Sequence, residues 1–262
     1  MSSKQPSYVN ITTRGGITIL ALNRPPVNAL SRALLEELTA TLEHLASDST
    51  VRVVILASAL PHFSAGADLQ EMKALASPKD VQTFITVGQK ACNTLESIPQ
   101  PVIAAVEGVA MGGGCELALA CDLRVAGQSA RFGQTEVNLG IVPGWGGSQR
   151  LPRLIGRGMG TELLLTGEAV TADRALALGL VNRVAPAGQA LAEAQRMAEA
   201  LLAKPPLSLK WIKQEVHQGL EQPLTKGLDM EAELFLQARA SQDAQEGIQA
   251  FLEKRQPRFR GS

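Results

Sequence analysis

The chain opens on alternating apolar and polar positions. Tyr8–Thr12 and Ile17–Leu22 alternate and carry β-branched residues, and Arg14-Gly15-Gly16 between them has the chemistry of a tight turn, so the pattern predicts a hairpin. From Ser31, which suits an N-cap, Leu34, Leu38, Leu42 and Leu45 recur at helical spacing while Glu36, Glu37 and Glu43 take other positions; this predicts an amphipathic helix. Val51–Ala57 is a short apolar run of the kind buried in a parallel sheet, and Pro101–Val106 and Leu123–Ala126 repeat that character. Helical patterns separate these runs, and parallel neighbours need crossover connections, so the first two-thirds of the chain reads as α/β. From Gly188 onward the signals are helical almost throughout, broken at Lys204-Pro205-Pro206 and Gln222-Pro223, with no strand among them. The expected organisation is therefore an α/β core over 1–187 and a helical region over 188–262, which either caps its own core or packs against another subunit.

Composition narrows the class. The 262 residues are 45% apolar and 19% charged, enough for an ordinary hydrophobic core. With 25 basic against 25 acidic residues there is no bulk field to attract polyanions or membranes, so no nucleic-acid or membrane partner is expected. Cys92, Cys115 and Cys121 are odd in number and lack CxxC spacing, which disfavours a disulfide framework or structural zinc and suits a reducing, cytoplasmic setting. Met1–Asn10 is polar and reads as a start rather than a signal peptide, and no run of about eighteen apolar residues occurs.

The candidate chemistry gathers around glycine. Glycines cluster at Gly66, at Gly112-Gly113-Gly114 and across Gly140 to Gly147, places where backbone can approach a ligand closely or where the chain merely turns. Ser64-Ala65-Gly66-Ala67-Asp68 follows one predicted strand and leads to a helix starting near Asp68. The triple glycine follows another and leads into Cys115-Glu116-Leu117-Ala118. Free N–H groups at two such junctions favour negative charge and could form an oxyanion hole. No GxxxxGK or GxGxxG pattern exists, so these are not phosphate cradles. Two carboxylates accompany them, Glu116 beside the triple glycine and Glu136 in Phe132-Gly133-Gln134-Thr135-Glu136. Taken alone, Glu116 could simply complement a helix dipole and Glu136 could be a solvated loop residue. His44, His62 and His217 are scattered, no GxSxG elbow occurs and well-spaced metal ligands are missing, so neither a triad nor a metal is expected.

In chain order, Leu22-Asn23-Arg24-Pro25 with Asn28-Ala29-Leu30, Phe63 to Leu69, Gly112 to Ala118, Phe132-Gly133-Gln134 with Glu136, Gly140-Ile141-Val142-Pro143-Gly144 through Gly147, Gln149-Arg150-Leu151 and Ala175–Val181 together resemble the crotonase superfamily, and specifically the enoyl-CoA hydratases. The resemblance runs nearly end to end. It implies a crotonase-like fold of repeated ββα units, with the C-terminal helices used for trimerisation, giving a homotrimer or a homohexamer made as a dimer of trimers. It implies addition of water to a 2-enoyl-CoA thioester, the alternative being an isomerase or another acyl-CoA enzyme of the superfamily, and no cofactor, since CoA is part of the substrate. By motif, Ala67 and Gly113 match the oxyanion-hole donors, Glu116 and Glu136 the catalytic pair, and Gly144 the glycine that orients the water. Ala29, Leu30, Ala65, Asp68, Leu69, Trp145 and Lys254 match substrate and CoA contacts, with Lys254 reaching CoA from a neighbouring subunit. Both acids being present separates this chain from the simplest isomerases. Two positions depart from the pattern: Pro61, where relatives often place a basic residue near the CoA phosphates, and Trp145, where they usually have a small residue.

Overall fold

The computed structural model describes residues 7–262; Met1 to Pro6, and with them most of the polar N-terminal stretch, lie outside the described residues. The chain opens with the expected hairpin. Strands β1 (Val9–Arg14) and β2 (Ile17–Leu22) pair antiparallel with Arg14 opposite Ile17, and the two residues between them, Gly15 and Gly16, both have positive φ. Helix α1 (Arg32–Ala46) begins where its pattern does: the Ser31 side chain accepts from the Leu34 N–H, and Leu34, Leu35, Leu38, Leu42 and Leu45 form its buried stripe.

The three apolar runs are β3 (Val53–Ser58), β4 (Val102–Val106) and β6 (Leu123–Gly127), all parallel, in a six-stranded sheet ordered β1-β2-β3-β4-β6-β9, where β9 is Arg183–Ala185. The continuous hydrophobicity of β3 and β4 has a direct cause: successive residues face different cores, while β6 carries one buried charge, Arg124, which donates to the Ala118, Cys121 and Leu180 carbonyls. Val54 and Leu56 face a core shared with α1 and α3 (Pro78–Ser97), whereas Val53, Ile55 and Ala57 pack with Ala190, Ala194, Met197 and Ala198 of α8 (Ala190–Leu202). A short helix, α2 (Leu69–Ala74), precedes α3.

A second sheet of three short strands, β5 (Val109–Met111), β7 (Arg131–Gly133) and β8 (Val170–Thr171), went unmarked in the sequence, because two or three residues are too few to show a period. An isolated bridge from Ser64 to Ala110 ties the segment after β3 to it. The repeated ββα unit is thus visible: β4 enters the large sheet, β5 the small one, and α4 (Gly113–Ala120) follows; β6 and β7 repeat the move and lead to a 3₁₀ turn, Glu136–Leu139. Helices α5 (Gly147–Ile155), α6 (Arg157–Thr166) and α7 (Ala172–Ala177) complete the core.

The region entered at residue 188 is helical as expected, but its members differ in what they touch. Helix α8 covers the sheet, while α9 (Pro206–Gly219), α10 (Leu224–Ala240) and α11 (Gln242–Leu252) leave large apolar side chains in solvent, among them Ile212, Phe235 and Phe251 at 55%, 66% and 82% exposure. Among the described residues no helix is long and apolar enough to cross a membrane, and the three cysteines are free and buried.

Candidate active site

Two turns meet at the end of the strands. The Ser64–Asp68 segment is stitched to its neighbours on both sides: Leu30 N donates to Gly66 O at 2.8 Å and Asp68 N to Leu30 O at 3.1 Å, while Met111 N donates to Ser64 O at 3.0 Å. Asn28, buried and at φ +50°, a conformation asparagine tolerates, fastens the whole corner. Its Nδ2 donates to Ser58 Oγ at 2.7 Å and to the His62 and Phe63 carbonyls at 3.1 Å, and its Oδ1 accepts from Arg24 N. The triple glycine packs directly against this corner: a Cβ on Gly114 would stand 2.6 Å from Ser64 O, and one on Gly66 would stand 2.9 Å from Met111 O and 3.6 Å from Gly113 N. The Ala67 and Gly113 N–H groups, at the entries to α2 and α4, thereby come into the same neighbourhood, and neither donates to an acceptor among the described residues. Unspent amides at helix entries are suited to an anionic oxygen.

The two carboxylates lie beside them, and both are buried, Glu116 at 2% and Glu136 at 9% exposure. Glu116 stands in the first turn of α4, yet its carboxylate does not serve that helix. Its Oε1 accepts from Trp145 N at 2.8 Å and Gly147 N at 2.7 Å, amides of the loop leading into α5. Burial pushes Glu116 up; the Gly147 amide pulls down, the neighbouring charge of Glu136 pushes up again, and the balance is a pKa raised to about 7. Glu136 opens the 3₁₀ turn, its Oε2 is buried with no partner among the described residues, and burial raises its pKa as well. It is not a solvated loop residue. A Cβ on Gly112 would stand 3.3 Å from Glu136 Oε1, so this acid faces the triple glycine. Two acids held above their usual range, next to unpaired amides, can exchange protons with a substrate whose oxygen is gripped by those amides.

The remaining predicted residues divide. Gly144 lies in the same loop as the Glu116 amides, its carbonyl accepting from Gln89 Nε2 at 2.9 Å. Leu30 is fully buried, Ala29 half-buried with its carbonyl taken by Arg24, and Ala65 and Leu69 are exposed at the rim of the Ser64–Asp68 turn. Asp68 is occupied structurally. It caps α2 by accepting from Gln70 N and Glu71 N and pairs with Arg24 at 2.5 Å; burial pushes its pKa up, and these partners overcome that and hold it below the usual value. Trp145 is 3% exposed and packs against Phe84 with ring centroids 5.4 Å apart and planes tilted by 48°, its indole filling the gaps left by two glycines: a Cβ on Gly88 or Gly113 would come within 2.2 Å of the ring. The bulky side chain is admitted here because Gly88 and Gly113, which face it, have no side chains. Lys254 is exposed beyond α11, with no hydrogen bond or ion pair to the residues around the two glutamates.

With this geometry in place, the enoyl-CoA hydratase/isomerase family matches residues 12–262 of the chain. The chain belongs to that family. It is 41% identical to a crotonyl-CoA hydratase of Syntrophomonas wolfei over 93% of its own length and 94% of the relative's, and 42% identical to a 2,3-dehydroadipyl-CoA hydratase of Escherichia coli over 97% and 99%. The crystal structure of an enoyl-CoA hydratase from Bacillus anthracis superposes with a TM-score of 0.93 at 39% identity, covering 97% of this chain and 100% of that one. The fold is accordingly the crotonase fold, with its mixed sheets and C-terminal helices.

Three residues that the family pattern contains, but to which the sequence reading gave no role, also shape this site. Asn28 is the clamp just described; a lone asparagine between apolar residues carries only the hint of positive φ. Gln134 is 1% exposed with neither side-chain polar atom partnered among the described residues, and it lies where a Cβ on Gly147 would come within 2.2 Å of its Oε1. Arg150 reaches back to the Glu116 loop, donating from Nη1 to Trp145 O at 3.0 Å. Its place in Gln149-Arg150-Leu151 made it part of the family pattern, but nothing in that segment tells which partners the guanidinium reaches. Among the described residues no three His, Cys, Asp or Glu side chains converge as metal ligands.

Proposed function

We propose that the protein is an enoyl-CoA hydratase, a hydro-lyase that reversibly adds water to 2-enoyl-CoA to give 3-hydroxyacyl-CoA. The observation that carries this reading is the pair of buried, raised-pKa carboxylates beside two uncommitted amides. In the proposed reaction the Ala67 and Gly113 amides donate to the thioester carbonyl oxygen, which gains charge as the double bond is attacked. Glu116, ionised, accepts a proton from the water whose oxygen bonds to C3; Gly144 N–H orients that water; and Glu136, protonated, delivers a proton to C2. The two acids are coupled, so the pair titrates as a unit. No cofactor enters beyond the CoA that the substrate carries. The names of the relatives, hydratases of two different acyl groups, support hydration as the common chemistry. An isomerase needs only to remove and return one proton, and the presence of both acids counts against it. The test is a panel of short, medium and aromatic 2-enoyl-CoA thioesters, followed by loss of conjugated-enoyl absorbance. A chain that leaves all of these unchanged but converts 3-enoyl-CoA into the conjugated isomer is not a hydratase.

The apolar faces of α9–α11 support a second proposal, that region 188–262 builds a homotrimer, alone or paired as a hexamer. Exposed apolar area on this scale is uncommon on a monomer. In such an assembly Lys254 is proposed to reach the CoA phosphates of a neighbouring subunit, supplying a positive charge that Pro61 cannot. The free, buried cysteines suit a reducing compartment, and a cytoplasmic location is proposed on that ground.

A further inference from the structure

The loop that holds Glu116 is rich in glycine. Gly144, Gly146 and Gly147 flank Trp145, and Gly146 sits at φ +114°. Yet two amides of this loop must stay aimed at one carboxylate oxygen. Besides the Gln89 bond to Gly144 O and the buried Trp145 indole, the Arg150 guanidinium bridges it to the body of the protein. Nη1 donates to Trp145 O at 3.0 Å, Nη2 to Asn93 Oδ1 at 2.8 Å, and Nε and Nη2 together to Glu96 Oε2 at 3.1 and 2.5 Å. A Cβ on Gly146 would stand 2.1 Å from Nη1, so the glycine there leaves the room that the guanidinium uses. The far end is anchored in turn: Glu96 Oε1 meets His217 Nδ1 of α9 at 3.1 Å, and His217 Nε2 meets Asp122 Oδ1 at 2.8 Å.

We propose that Arg150 is a positioning residue for Glu116: by holding the Trp145 carbonyl against α3 it fixes the Trp145–Gly146 peptide, which lies between the two peptides whose N–H groups, those of Trp145 and Gly147, orient the Glu116 carboxylate. The proposal rests on the reading of Glu116 as the group that activates water. A planar fork suits the task, because three nitrogens in one plane reach acceptors on two elements at once, where a lysine offers one point charge. Arg150 also acts through charge. The titratable groups around Glu116 are Glu136 from the 3₁₀ turn, Cys92 from α3, Cys115 on its own helix and Arg150 from α5, and of these Arg150 supplies the cation. It favours the ionised form of Glu116 that burial and Glu136 oppose.

The experiment compares the parent enzyme with Arg150→Met, Arg150→Lys, Glu96→Gln and Glu116→Gln on a short 2-enoyl-CoA, recording kcat, KM and the pH dependence of kcat per folded active site. Arg150→Met is expected to lower kcat by about 10–10² with KM within about twofold, and to move the acidic limb to higher pH. Arg150→Lys should return the limb towards its parental position while kcat stays low, because the charge is restored and the fork is not. Glu96→Gln should lower kcat in the same direction by a smaller factor, and with Arg150→Lys it decides the matter if Arg150→Met does not fold. A purely structural role would reduce the amount of folded enzyme and leave both limb and kcat per site unchanged. That result, alongside an inactive Glu116→Gln, overturns the role of Arg150 while leaving Glu116 as the base. Parental turnover in Glu116→Gln overturns both.

Discussion

Glu116 and Glu136 acquire their properties from what surrounds them rather than from the residues beside them in sequence. A glutamate titrates near 4.5 in water; buried, next to another acid and held by two amides, Glu116 moves to about 7. Replacing either acid by glutamine removes a proton acceptor or donor without changing shape, so Glu116→Gln and Glu136→Gln are each expected to cut hydration by about 10² or more with CoA-thioester binding largely kept. Steady-state kinetics paired with a binding titration measures both. The sign of the pH dependence follows from the roles. Glu116 must be ionised to accept a proton, so kcat should rise as pH increases through about 7, and the limb should vanish with the acid. Trp145 behaves as filling at this scale: Trp145→Ala is expected to cost about 3–5 kcal/mol and to leave the ratio of kcat/KM among C4, C8 and C12 substrates unchanged. A variant that instead gained preference for long chains would assign the indole to the acyl pocket.

Helix α9 shows how an element can be docked by charge instead of by a buried apolar stripe, for none of its residues is fully buried. Its Lys213 pairs with Asp122 Oδ2 at 2.8 Å and its His217 lies between Asp122 and Glu96. Hydrogen bonds from His217 to Asp122 and then Glu96 outweigh burial and raise its pKa to about 9, while Glu96, raised by burial but lowered more by His217 and Arg150, falls to about 2. A raised histidine contributes stability that is fully present below its unfolded pKa of about 6.5 and is lost as pH rises through about 9. The lowered glutamate contributes above its ordinary 4.5 and is lost as pH falls through about 2. The thermal midpoint of the parent should therefore decline between pH 6.5 and 9 more steeply than that of His217→Gln, in which this linkage is absent. Parallel curves for the two proteins would show that the ion-pair cluster does not dock the helix.

For the whole molecule, α9–α11 end in side chains that a lone chain leaves wet. If a second and third copy cover them, light scattering at micromolar concentration should give a trimer or twice that mass, and a charge placed in the face, Phe235→Asp, should yield smaller species. Lys254→Ala should then raise KM for CoA thioesters without changing the mass. A fully active monomer would refute the assembly and the Lys254 contact together.

What the sequence determined by itself follows from local rules. The Gly15-Gly16 turn, the Ser31 cap and the leucine stripe of α1 depend on neighbours a few positions away, and the β3 and β4 runs are apolar because both faces of those strands are buried. The glycine motifs and the two acids were picked out by resemblance to a family pattern, since taken alone Glu116 reads as a helix-dipole partner and Glu136 as a loop residue. Tertiary structure decided the rest. Only folding brings the entry of α2 against the entry of α4, removes water from Glu136, seats Trp145 over Gly88 and Gly113, and joins Arg150 to Glu96 and His217. Desolvation and charge pairing are set by atoms distant along the chain, and no local pattern of residue types carries their positions.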